Sequence, residues 1–155
     1  MNRSELLTGA MALKAPSSEV TKEFEGKSAR LAEELNRILG ERPDVNRLVG
    51  PDNLEMMFDN HRNHARFMTS VFYAYDPKVL VDTVIWVFRA YLSHGFSLAY
   101  WPAQLDTWVE LFKQELSDQA YEEIYPFYHW LIINQATFVT LARQSSTTAD
   151  EKPQH

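Results

Sequence analysis

Cysteine is missing from all 155 residues, and that absence removes disulfides, thiolate metal sites and cysteine nucleophiles together. It agrees with a reducing compartment, so a cytoplasmic location is the expectation. Positive charge is also scarce: 15 Lys and Arg stand against 21 Asp and Glu, a formal charge of −6. Nucleic-acid binders usually carry a basic stripe along one face, and none is visible, so nucleic acid is not expected as a partner. The 5 glycines form neither a phosphate-cradling loop nor a dinucleotide fingerprint, and His-Glu-x-x-His and the nucleophile elbow are absent. An enzyme is therefore the less favoured expectation. Long hydrophobic runs are lacking too. The most apolar stretch, Val79 to Leu92, is interrupted by Asp82 and Arg89 and is too short for a bilayer, so it reads as a buried helix and no membrane partner is expected. The region after Met1 has no basic start followed by an unbroken apolar core, and no secretory signal is read there.

What the chain does have is 45% apolar and 13% aromatic residues, enough for the core of one domain. Residues 1–17 read as a flexible N-terminal arm with a short helix around Glu5 to Leu13. Ser17 or Ser18 can cap helix A, about Glu19 to Leu39, whose thin apolar stripe could serve a homodimer; Gly26 weakens its middle and Gly40 stops it. Residues 41–50 read as a connection. Helix B runs from near Asp52 to Asp76-Pro77, and helix C from Lys78 to His94, apolar nearly all round. Helix D starts near Pro102 and ends at Leu116. Helix E follows from Ser117 or Asp118 to Ala142, with Pro126 expected to kink or restart it. Residues 144–155 read as a disordered tail, leaving 18–143 as a single helical domain. No period-2 strand pattern occurs. The expected class is all-α with about five principal helices, a four- or five-helix bundle being the alternative to a globin-like arrangement.

The stretch from Leu54 to Tyr75 organises the functional reading. Leu54, Met57, Phe58, Ala65, Met68, Val71, Phe72 and Tyr75 follow helical spacing, and His61 and His64 fall on the same stripe. Imidazoles are common ligands for metals and haem, so the sharp reading is a metal or tetrapyrrole site at His61 and His64. The plain reading is that both hydrogen-bond to neighbours in the core. His94 and His129 could enlarge the set. A di-iron bundle needs carboxylate-x-x-His pairs, and the residues three before His61 and His129 are Phe58 and Pro126. On helix C, Asp82 and Arg89 share a face and could hold an anionic group, or pair with neighbours. Tyr73, Tyr75, Tyr91, Tyr100 and Trp101 suit a cavity lining as well as a plain core.

Residues 54–142 resemble a globin-type helical sensor domain. The run Ala99-Tyr100-Trp101-Pro102, then Leu105, Trp108, Leu111 and Leu116 to the Tyr125–Trp130 segment, is similar to the last two long helices of bacterial globins. Where a haem globin would carry its iron-binding histidine, counting back from Trp101 reaches Tyr91, and His94 comes about a turn late. The departure makes the chain look more like the haem-free globin-fold sensors of bacterial stress-signalling regulators. Asn60-His61-Arg62-Asn63-His64-Ala65-Arg66-Phe67-Met68, Trp86-Val87-Phe88-Arg89-Ala90-Tyr91 and His94-Gly95-Phe96 are also similar to the helical module that accompanies cobalamin-binding domains. The resemblance implies a small-ligand or cofactor-binding module with its pocket between helices B, C and E. His61 and His64 would contact the ligand, Tyr91 and His94 would line the far wall, and Arg89 would orient an anionic group. A signalling partner or a homodimer would read the repacked helices. The rivals are a ligand-free interaction scaffold and a His-ligated metal enzyme with Asp59 or Glu55 nearby.

Overall fold

A computed structural model describes residues 2–144. Among them every regular element is α-helical: α1 (Arg3–Met11), α2 (Ser18–Gly40), α3 (Val45–Val49), α4 (Leu54–Tyr73), α5 (Pro77–Ser93), α6 (Tyr100–Glu115), α7 (Asp118–Ile133) and α8 (Gln135–Gln144). The all-α class is as expected. Of the expected tail, residues 144–155, Gln144 is the last residue of α8 and residues 145–155 lie outside the described residues.

Helix α2 is the hub, packing on α4, α6 and α7. Its apolar stripe, Val20, Phe24, Leu31, Leu35 and Leu39, is buried inside the molecule, so the face expected to serve a dimer is already used. Ser17 caps it as expected, accepting from the Val20 N–H. Ser17 N donates to Glu123 at 2.7 Å, while Ser117, the cap of α7, donates its N–H and Oγ–H to Glu23, each at 2.7 Å. Each of these two helix starts is thus held by a carboxylate from the other helix. Arg62 of α4 reaches Glu33 of α2 with two bonds, 2.8 and 3.1 Å, outside the α2–α4 contact.

Three local expectations change. The N-terminal arm holds the short helix expected of it, α1, but docked rather than loose: α1 packs on α5 with Leu6 and Ala10 fully buried, and two buried positions in nine residues leave too little periodicity to read that docking. The connection 41–50 holds the one-turn α3, ended by Gly50 at φ 89°. Helix E does not restart at Pro126: α7 runs through it, because Pro126 and Glu122 both face solvent and water can take the carbonyl the proline leaves unbonded. The restart comes at Asn134, whose Nδ2 donates to Trp130 O at 2.9 Å.

Candidate functional site

His61 stands in the middle of α4 with none of its surface exposed. Its Nδ1 lies 2.6 Å from Asn36 Oδ1 on α2, and its Nε2 lies 2.8 Å from the Tyr100 hydroxyl at the start of α6. The proton arrangement follows from the far end of the chain of bonds. Asn36 Nδ2 donates to the Phe58 carbonyl at 3.3 Å, and a carbonyl only accepts, so Asn36 turns its oxygen to His61. Nδ1 therefore carries the ring proton and donates to Asn36, and the Tyr100 O–H donates to Nε2. Tyr100 oxygen in turn accepts from Gln104 Nε2 at 3.0 Å. Every bond in the series from Gln104 through Tyr100, His61 and Asn36 to the Phe58 carbonyl runs in one direction.

His64, one turn on and half-buried, takes a separate partner: its Nε2 lies 2.6 Å from the hydroxyl of Tyr128 on α7, which is fully buried. Trp108 of α6 sits beside both imidazoles, edge-on to His61 with ring centres 6.5 Å apart and tilted against His64 at 5.2 Å. Burial strips water from the charged forms and pushes His61 down to about 3, with the neighbouring His64 and Arg62 adding a smaller like-charge effect. Burial alone pushes His64 down to about 4. The same loss of solvation raises the hydroxyls of Tyr100 and Tyr128 well above their ordinary range. At neutral pH the cluster is uncharged throughout.

The expected site residues part company here. Of the helices expected around the histidines, E is present through Tyr128 of α7, while C (α5) is not: α2 and α6 take its place with Asn36 and Tyr100. Tyr91 of α5 reaches them only through Tyr100, with ring centres 5.9 Å apart, and is itself stacked on Trp101 at 5.0 Å. Burial raises its hydroxyl far above the ordinary value. The His94 side chain is exposed at the end of α5; its backbone carbonyl accepts from Asn53 Nδ2 at 2.7 Å, where the α3–α4 and α5–α6 corners meet. Arg89 is half-buried on α5, and its expected companion Asp82 is taken by Arg3 of α1 through bonds of 2.7 and 3.0 Å. His129 is exposed beside Tyr125.

As a metal ligand His61 would have to give up Asn36 or Tyr100, because both ring nitrogens are engaged. Among the described residues no group of three or more His, Asp or Glu gathers as a metal cluster would. Asn36, Tyr100, Gln104, Trp108 and Tyr128 complete the site. Tyr100 is singled out by sequence as cavity lining; the others are not. The faint signals are Asn36, a polar amide inside the apolar stripe of α2, and the Tyr100, Gln104, Trp108 spacing of four, which puts the three on one face of α6.

No family model matches the chain. No curated protein matches it, and no solved structure does either. The case for function therefore stands on this chain's own geometry. Among the described residues no helix is long and apolar enough to cross a membrane.

Proposed function

We propose that this chain is a helical protein-interaction module whose paired imidazoles are internal hydrogen-bonding struts. The observation that carries this reading is the saturation of His61, whose two nitrogens are spent on Asn36 and Tyr100 at full burial. A ligand-reading imidazole needs a free nitrogen or a proton affinity near neutrality, and His61 has neither. Surface features support a binding role: Leu98 and Ile133 are large apolar side chains left 47% and 62% exposed. Leu98 lines a shallow groove of about 330 Å³ with Trp101, Gln135, Ala136, Val139 and Thr140. Single apolar side chains are ordinary on a protein surface, and it is the groove beside Leu98 that offers a partner an apolar seat.

The ligand-sensing reading, with its globin-like likeness, keeps one observation in its favour. Gln104 Oε1 and Trp108 Nε1, one turn apart on α6 beside the histidines, are both buried without a partner. A small polar guest would satisfy both.

Protein purified without added metal decides between them through its visible absorption, its elemental analysis, and thermal shifts with haem, bilin, cobalamin, zinc and iron. The interaction reading expects a colourless, metal-free protein whose melting temperature none of these raises. A stabilising shift that disappears in His61→Gln overturns it in favour of sensing.

A further inference from the structure

Helix α1 is an imperfect occupant of the seat it covers. It spans nine residues, too few to be stable alone, and only Leu6 and Ala10 are fully buried. Its ion pair, Arg3 with Asp82, is 42% exposed on each side, a setting in which such pairs contribute little. Tyr75 of the α4–α5 corner donates its hydroxyl proton to the Ala10 carbonyl. The seat also contains an unmet demand. The indole N–H of Trp130, 4% exposed, has no hydrogen-bond partner, and it lies where the side chain of residue 9 would begin: a Cβ on Gly9 would stand 3.2 Å from Trp130 Nε1. Glycine brings nothing to that donor, so α1 covers a buried polar group and leaves it unsatisfied, which costs free energy.

We propose that the α5–α7 surface under α1 is a helix-docking groove, that α1 fills it in cis, and that its partner is a short amphipathic helix of another protein. The partner's chemistry follows from the seat. It carries arginine where Arg3 meets Asp82, leucine at the Leu6 register, a small hydroxyl residue at the Gly9 register to accept from Trp130, and alanine at the Ala10 register. Charge complementarity at Asp82 fixes the direction of the incoming helix, and the hydroxyl distinguishes it from α1. Trp130 has to yield by a few tenths of an ångström for the added Cβ. This inference rests on the interaction-module reading and names the surface and the partner class.

Hydrogen exchange on the full chain tests the first half. The α1 amides are expected to exchange about 100-fold faster than those at the centre of α4, through an opening that leaves the rest folded. Gly9→Ser is expected to slow α1 exchange more than Gly9→Ala does, although alanine is the better helix former. Equal protection of α1 and α4, or a serine effect no larger than alanine's, overturns the inference. The second half uses the full-length Leu6→Asp variant, which expels its own α1, and a labelled peptide of residues 1–14 carrying Gly9→Ser. The peptide is expected to bind this variant at least about tenfold more tightly than the native chain, and Asp82→Lys is expected to weaken binding about tenfold. Failure to bind a Leu6→Asp chain that circular dichroism shows to be folded overturns the proposal. Tighter binding by the unaltered peptide than by the serine peptide also overturns it, pointing to exchange of α1 between copies. If Leu6→Asp does not fold, the exchange comparison alone decides. The metal and ligand tests of the preceding section are independent, so a failed docking groove and a failed interaction reading give different results.

Discussion

At the scale of single residues, the account turns on which hydrogen bonds His61 can replace. Tyr100→Phe removes one hydroxyl and strands two groups, His61 Nε2 and Gln104 Nε2. The expected cost is about 1–3 kcal/mol, read as a lower urea midpoint with an unchanged slope. His61→Leu should cost at least as much, because Asn36 Oδ1 loses its donor. The histidines also set a pH dependence. Both are held neutral in the fold, at about 3 and about 4 against an ordinary 6.5, so below 6.5 the unfolded chain binds more protons than the folded one. Stability therefore falls as pH drops from 6.5 towards those values, by up to about 1.4 kcal/mol per pH unit for each ring. Urea midpoints at pH 7, 6 and 5 check it; a flat profile over that range contradicts it. That the imidazoles turn inward is legible in the spacing of His61 and His64 along the α4 stripe. Their partners are not, because Asn36, Tyr100 and Tyr128 come from three other helices, 25, 39 and 64 positions away from the rings they meet. One sequence carries no record of which distant polar residue faces which.

Helices differ in how openly they declare themselves, and two glycines show why. Gly26 lies in the exposed middle of α2 with open space around a would-be Cβ. Gly26→Ala should raise stability by about 0.5–1 kcal/mol, seen as a higher melting temperature. Gly50 adopts φ 89°, and a Cβ there would stand 2.9 Å from the Gly95 carbonyl. Gly50→Ala should destabilise by about 1–3 kcal/mol or more, with the melting temperature again the readout. Helix α2 is readable because its cap, stripe and terminal glycine agree. Helix α1 is legible as a short helix but not as a buried one, since its burial depends on a seat built by α5 and on Arg3 finding Asp82, 79 positions on. The Asn134 break is hidden for a different reason: an asparagine that ends a helix through its own side chain resembles one that continues it, whereas Pro126 announces an interruption that solvent makes unnecessary.

Taken whole, the molecule builds one core around α2, with α1 and α8 both applied to α5. The attachment of α1 makes a prediction about the balance of forces across the fold. Leu6→Ala should cost about 2–5 kcal/mol of α1 protection in hydrogen exchange, as for other buried leucines, while Asp82→Asn should cost less than about 1 kcal/mol. The reverse order would mean that the exposed ion pair, rather than leucine burial, holds the helix. The central claim, that both imidazoles are neutral and that His61 is internally committed at both nitrogens, has one direct test. Long-range ¹H–¹⁵N spectra of the histidine side chains between pH 8 and pH 5, with and without added zinc and haem, read protonation and tautomer at each ring. The account predicts that His61 keeps its proton on Nδ1 and does not titrate over that range, and that neither additive moves its nitrogens. Titration of His61 near 6.5, or a ring nitrogen displaced by zinc or haem, would contradict it.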